Sequence, residues 1–529
     1  MIFLVVPVGL LLLTAALIGI QHTLRKNVGL SWLIGVIGST LVWGWSLYLN
    51  WAPDSSFQIG RSAFEAAEIP LLFTLDAISW PYLMALASLL LITMMTAPSR
   101  MDADISPIRW IGFSFITLIG FVAVTSGGVW PVIFCWMIFD ILDFLFMLST
   151  SGRSEFLRLL QTTIAIRLTG TILAAVGLAF TLRQPAETVS YAGGVMILVA
   201  CGLRLGIIPV YQPYMELAED QIGLATIQRL VSIVSVLSVL SRLPVSYLTP
   251  EIATALSLFS GFSALICSLS WVISENKGHR MSGFISAVAS MAFASVLRGQ
   301  QQASIVWGIS LVMAGAPVFL YIVRSRRMSI FLTLNVIFFS GLPWLPGAAG
   351  WHGLIVYPFS GLDILFYIVQ LNLLAGMMIH IHEPGSRVLN SLEPWMRTVY
   401  PFGFIMMAVS YLLIAWFGWD FFGQTGIPWA SISAVVIAVL IWAGLSQLTF
   451  NKRYQNLLNW GKAGITLFMR GNRWLLNLNW FFALLGLFSG LLKKGVDFLS
   501  DIIESPGGIL WEFILLTAFV LLILSGSGA

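Results

Sequence analysis

The chain has 529 residues, 58% of them hydrophobic and 9% charged, with a mean hydropathy of +0.92. Soluble domains carry about 25% charged residues, which excludes water as the main solvent and makes this an integral membrane protein. The formal net charge of +4 fits membrane anchoring and gives no case for nucleic-acid binding.

A spanning helix needs ~20 apolar residues, because the hydrocarbon core is ~30 Å thick and a helix rises ~1.5 Å per residue. Windows of that kind fall at 2–20, 31–49, 76–97, 111–125, 129–150, 159–182, 191–210, 224–241, 252–273 and 281–297. They continue at 304–323, 329–357 with a break, 362–380, 399–416, 430–448 and 508–524. The expected fold is therefore all-α, a polytopic membrane protein of about 14–16 transmembrane helices. The first window lacks a basic region ahead of it, and its cations Arg25 and Lys26 follow it, so it reads as a retained span and not as a signal peptide.

With the N-terminus outside, Arg25, Lys26, Arg100, Arg109, Arg153, Arg158, Lys277, Arg280 and the run Arg324, Arg326 and Arg327 share one side. The other side receives mostly single arginines, Arg61, Arg183, Arg242 and Arg298. By the positive-inside rule the first side is cytoplasmic, and the expected location is the cytoplasmic membrane of a prokaryote. Residues 450–506 interleave Lys452, Arg453, Lys462, Arg470, Arg473, Lys493 and Lys494 with Leu, Phe and Trp. That pattern predicts an amphipathic segment lying along the cytoplasmic surface, before a last span at 507–529 that leaves the C-terminus outside.

Prolines interrupt two spans, Pro209 and Pro213 at the end of one and Pro343 and Pro346 in the middle of the other. Backbone groups freed by proline are tolerated at membrane depth only where they are buried in protein or line a cavity. Paired broken helices fit an inverted-repeat transporter. The expected organisation is N-terminal helices at 1–110, five-helix repeats of opposite topology at 111–241 and 252–380, and additional helices at 381–449.

Ionisable side chains inside the bilayer cost several kcal/mol, roughly 2.5 to 3.5 on the most lenient scale. Asp140 and Asp143 lie three apart on one helix face, Arg167 falls in the next span and Arg204 in the one after. Arg229 and Asp363 fall within or near spans. Acids and bases on neighbouring helices can pair, which lowers the cost for both; this serves either an ion path or a buried cluster that only fixes helix register. His352 reads as a polar residue satisfied by its surroundings or as a proton carrier. His380 and His382 end a span with no third ligand, so no metal is inferred. Cys135, Cys201 and Cys267 lie inside spans without ligand spacing, so packing is their expected role, and no cofactor is expected.

These residues resemble the antiporter-like subunits shared by respiratory complex I, membrane-bound hydrogenases and Mrp-type sodium/proton antiporters. Leu75-Asp76-Ala77-Ile78-Ser79 resembles the family's Asp-Gly-Leu-Ser, and Trp136-Met137-Ile138-Phe139-Asp140 its Phe-Trp-Glu, with Asp140 in the glutamate's place. Arg167 matches the arginine of Asn-Arg-Val-Gly-Asp, whose acid falls on Gly170. Arg204 takes the place of the family's lysine in its broken seventh helix, with Pro209 five residues on. Glu216 stands where the Leu-Pro-Asp-Ala loop has its aspartate, and Arg229 where some members have histidine. Lys277-Gly278-His279-Arg280 resembles Asp-Ile-Lys-Arg, and Gly341-Leu-Pro-Trp-Leu-Pro-Gly-Ala-Ala-Gly350 resembles the family's Gly-Ile-Pro-Gly-Thr-Ala-Gly-Phe.

The resemblance implies a membrane-arm subunit of a multi-subunit, energy-coupled complex, taking part in proton or sodium translocation beside other integral membrane subunits, related antiporter-like ones among them. Any oxidoreductase chemistry would lie in another chain, because this one has no nucleotide fingerprint and no cysteine cluster. The departures point the other way. Val234, Trp307 and Leu354 stand where the family has lysines or acids, with only His352 and Asp363 nearby to deputise, and a guanidinium at Arg204 does not give up its proton. The alternative is a degenerate scaffold that moves no ions.

Overall fold

The computed structural model describes residues 2–25, 27–52, 55–59, 71–100, 107–150, 154–182, 191–208, 210–211, 222–244, 248–274, 277–355, 360–383, 387–388, 392–418, 428–448 and 517. The chain divides into two compact units, Met1–Leu467 and Phe468–Ala529. Except for Thr517, the second unit lies outside the described residues, as do the expected surface segment at 450–506, Pro209, Pro213 and Glu216.

Among the described residues there are sixteen helices. The first eight are α1 (Ile2–Arg25), α2 (Val28–Tyr48), α3 (Ser79–Thr96), α4 (Pro107–Thr125), α5 (Val129–Thr150), α6 (Ser154–Leu182), α7 (Tyr191–Leu205) and α8 (Ile222–Arg242). The others are α9 (Pro250–Ile273), α10 (Lys277–Leu297), α11 (Gln301–Leu320), α12 (Arg326–Phe339), α13 (Ala348–Leu354), α14 (Gly361–His382), α15 (Pro394–Phe417) and α16 (Pro428–Leu448). Eleven helices are long and apolar enough to cross a membrane. The protein is an all-α, multi-pass membrane protein.

Burial separates the helices into a core and a rim. All of α3, and α11 from Ala303 onward, are buried, as expected of helices apolar on every side. Helices α1 and α2 instead leave Leu12, Leu13, Ile37 and Leu41 about half exposed, which is the pattern of a lipid-facing rim. The core helix α8 alternates small hydroxyls with aliphatic residues. Ser235, Ser238 and Ser241 return their hydroxyl protons to Ser232, Ser235 and Leu237 carbonyls at 2.5, 2.9 and 2.9 Å, which hides the polar atoms and lets neighbouring helices approach.

The two five-helix runs share one order of contacts. In the first, α4 packs on α5 and α8, α5 on α6 and α8, α6 on α7, and α7 on α8. In the second, α9 packs on α10 and α14, α10 on α11 and α14, α11 on α12 and α13, and α12 on α14. Each run has its interruption in the fourth helix. Helix α7 ends at Leu205, where Gly206 has φ +71° and Ile207 donates to the Gly202 carbonyl at 2.9 Å. Helix α12 ends at Phe339 and the chain resumes as α13 at Ala348. Gly341, at φ +78°, lies so close to Trp351 that a Cβ would fall 1.5 Å from the indole.

Short strands were not expected. β1 (Ser55–Ile59) and β2 (Leu71–Leu75) form an antiparallel hairpin ahead of α3, and β3 (Val323–Arg324) pairs in parallel with β4 (Arg387–Val388). The hairpin moves the start of the third span from residue 76 to Ser79. Asp76 serves as a cap, taking the amides of Ile78 and Ser79 on Oδ1 at 3.1 and 2.8 Å. It also receives Arg242 from the end of α8, Nη1 to Oδ2 at 2.6 Å and Nη2 to Oδ1 at 3.1 Å. Burial raises the Asp76 carboxyl, but hydrogen bonding and charge from Arg242, with the Ser79 bonds, outweigh it and hold it below its ordinary value.

Candidate functional site

The buried charges meet because α6 and α7 pack unusually close. At Gly170 of α6 an added Cβ would lie 3.1 Å from both the Ala200 carbonyl and Arg204 Cγ on α7. Bare backbone at 170 therefore leaves the room through which the Arg204 side chain crosses α6. An acid at that position, as the resembled motif has, would occupy the same space. On α5, Asp140 and Asp143 share the face turned to this junction.

Arg204 grips Asp140 with both terminal nitrogens, Nη1 to Oδ2 at 2.8 Å and Nη2 to Oδ1 at 3.1 Å. Its Nη1 also reaches Thr171 Oγ1 at 2.6 Å and the Arg167 carbonyl at 3.2 Å. Arg167 donates to both acids, Nη2 to Asp140 Oδ1 and Nη1 to Asp143 Oδ2. Gln228 of α8 donates its amide to Asp143 Oδ1. The result is a continuous polar chain, Arg204 to Asp140 to Arg167 to Asp143 to Gln228, crossing four helices. Trp136 covers it, with its ring 4.7 Å from the Arg204 guanidinium and its indole N–H held by Ser235 Oγ at 3.0 Å.

Among the described residues the cluster holds two carboxylates and two guanidiniums and so balances its charge, which is how ionised groups survive at this depth. The acids are not equivalent. Asp140 takes both arginines and its side chain is 2% exposed, whereas Asp143 takes one arginine and one neutral amide and its side chain is 10% exposed. Thr171 and Gln228 were missed in the sequence. Thr171 stands one turn beyond Arg167, and Gln228 is an amide inside an apolar span, so spacing and polarity were the available signals.

Other candidates lie elsewhere. Arg229 is buried on α8, one position from Gln228 and so ~100° around the helix. His352 is exposed on α13. Asp363 caps α14 in a reciprocal box with Ser360 and also receives Arg298 Nη1 at 2.5 Å, a local architectural role. His380 donates its Nε2–H to the Val318 carbonyl at 3.1 Å, since a carbonyl oxygen can only accept, and Arg280 pairs with Glu383 beside it. Among the described residues no group of three or more His, Cys, Asp or Glu is placed to hold a metal ion.

Among the described residues the second run carries no such charge cluster at its break. Val234, Trp307 and Leu354 are fully buried, and the backbone freed between α12 and α13 is tied internally. Gly347 N–H donates to Phe338 O at 2.9 Å, Trp351 Nε1 to Ser340 O at 2.9 Å and Trp307 Nε1 to Gly350 O at 3.0 Å.

No protein-family model matches the sequence, and no curated protein matches it. The fold does have solved relatives. A chain in the structure of the Mrp complex from Dietzia sp. DQ12-45-1b superposes with a TM-score of 0.63 at 12% identity, covering 99% of this chain. This chain spans 63% of that one. A chain of respiratory complex I from Thermus thermophilus with bound NADH aligns with a TM-score of 0.49 at 15% identity, over 88% of this chain and 99% of that one.

Proposed function

We propose that this chain, which has the fold of a chain of the Mrp complex, is an antiporter-like membrane-arm subunit of a multi-subunit, energy-coupled complex and takes part in proton or sodium translocation. The observation that carries the reading is the buried, neutral chain of Asp140, Arg167, Asp143 and Arg204 beside the end of α7. The shared order of contacts in the two helix runs supports reading 111–241 and 252–380 as repeats of opposite topology. Partners would be other integral membrane subunits in a prokaryotic cytoplasmic membrane, with both termini external and the 450–506 segment on the cytoplasmic face.

Within this reading the mobile proton sits on a carboxylate, because guanidiniums keep theirs. Asp143 is the acid we assign to coupling: among the described residues it has fewer charged donors and more exposure than Asp140. Removing its charge frees the Arg167 nitrogen it holds and so alters the link from Arg167 through Asp140 to α7. The test is to purify the complex through this chain, identify its partners, and reconstitute it for proton and sodium flux. Asp143→Asn should assemble and lose flux. Normal flux in that variant would sink the coupling role.

A second reading, a scaffold that moves no ions, is favoured by one observation: Trp307 and Leu354, where the resemblance places titratable groups, are buried and apolar. The parent complex would then show no flux that depends on this chain.

A further inference from the structure

The second helix run contains buried polar atoms that the protein itself does not pair. Asn335 of α12 is 1% exposed, and both its Nδ2 and Oδ1 have no hydrogen-bond partner. Gln370 of α14 is fully buried and its Oε1 is likewise unpartnered, while its Nε2 points to the carbonyls of Phe339 and Ser340 at 3.3 and 3.5 Å. Leaving such groups unmade costs the full desolvation of each, and buried polar groups are otherwise paired with protein or ordered water.

Placement links the two amides. Gln370 touches the carbonyl of Phe339, which lies one helical turn after Asn335, and helices α12 and α14 pack together. The ring of Phe339 packs against both Phe284 and Trp307, with centroids 5.8 Å from each.

We propose that Asn335 and Gln370 form an internal water site, in which ordered water joins the Asn335 amide to Gln370 Oε1 beside the break in α12 and the Phe284–Phe339–Trp307 aromatic contacts. Within the proposal the ligand is water, which needs only two to four polar partners; three carbonyls around the broken segment are already engaged, Phe338 O by Gly347, Ser340 O by Trp351 and Gly350 O by Trp307. Beside its break the second run thus holds neutral amides, where the first run holds the Asp140 and Arg204 charges. This inference stands whether or not the chain moves ions.

The test uses the full chain in lipid nanodiscs. Thermal midpoints are compared for the parent, Asn335→Leu, Gln370→Leu and the double variant, with and without sodium. Expected are a lower midpoint for each single variant, a double variant less destabilised than the sum because the shared water is lost only once, and no sodium dependence. A higher midpoint for Asn335→Leu means a dry, unpaired amide was removed and overturns the proposal. Strict additivity overturns the bridge. A sodium-dependent rise in the parent that Asn335→Leu abolishes makes the site ionic and also overturns it. Should the variants not fold, a high-resolution map of the parent decides: density within hydrogen-bonding reach of both Asn335 and Gln370 Oε1 is expected, and its absence refutes the site.

Discussion

Arg204 and Asp140 meet as two forks inside the helix bundle, both guanidinium Nη atoms on both carboxylate oxygens at 2.8 and 3.1 Å, with side chains 1% and 2% exposed. The contact ties α7 to α5 beside the point where α7 stops. Arg167 shares the same acid, so among the described residues Asp140 pairs with both cations.

Removing that charge should unsettle the fold. Asp140→Asn leaves Arg204 and Arg167 competing for Asp143 and strands one buried cation, at about 3 to 5 kcal/mol. The expected outcome is a markedly lower detergent-unfolding midpoint and poor yield. Asp143→Asn should be milder, because Arg167 retains Asp140. Equal losses for the two variants would refute the ranking of the acids.

Arg204→Lys tests the fork itself. Lysine is a point charge without the planar pair of donors and stacks less well on Trp136, so Thr171 Oγ1 or one Asp140 oxygen loses its partner. Stability should fall by about 1 to 3 kcal/mol. An unfolding transition unchanged from the parent would mean that bidentate geometry contributes nothing.

Gly170→Ala asks whether close helix approach builds the site. The added methyl meets the Ala200 carbonyl and Arg204 Cγ at 3.1 Å, so α6 and α7 must part or Arg204 must move, at about 1 to 3 kcal/mol. Cysteine pairs placed across the two helices would crosslink more slowly in the variant. Unaltered crosslinking and stability would show that the junction has slack.

Acid should loosen the cap of α3. The Asp76 carboxyl is held below its ordinary value, so its pairing with Arg242 stabilises the native state above the unfolded value near 3.8 and is lost as pH falls through the lower folded value. Hydrogen exchange at Ile78 and Ser79 should therefore accelerate as pH drops below that region, beyond the intrinsic rate change. In Asp76→Asn the excess should vanish; an excess that persists assigns it to another group.

The sequence by itself determined the solvent, the helical class, most spans, the two interruptions and the identity of the buried charges. Each follows from a local property: a run of ~20 apolar residues, a proline inside it, or an ionisable side chain at membrane depth. It also put Asp140, Asp143, Arg167 and Arg204 on successive spans as acids and bases that can pair, since an unpaired charge there is too costly to stand alone. The tertiary structure alone decided that Arg167 bridges both acids, that Gln228 and Thr171 complete the chain, that Asp363 is a helix cap, and that Asn335 and Gln370 lie beside the second break. Those outcomes depend on which helix faces which, set by close approach at positions such as Gly170 and by Trp307 and Trp351 filling the break. Contacts between residues 24 to 85 positions apart, from Asp143 with Arg167 to Asp143 with Gln228, leave no periodic mark on the chain, because side-chain volume in three dimensions and not spacing selects them.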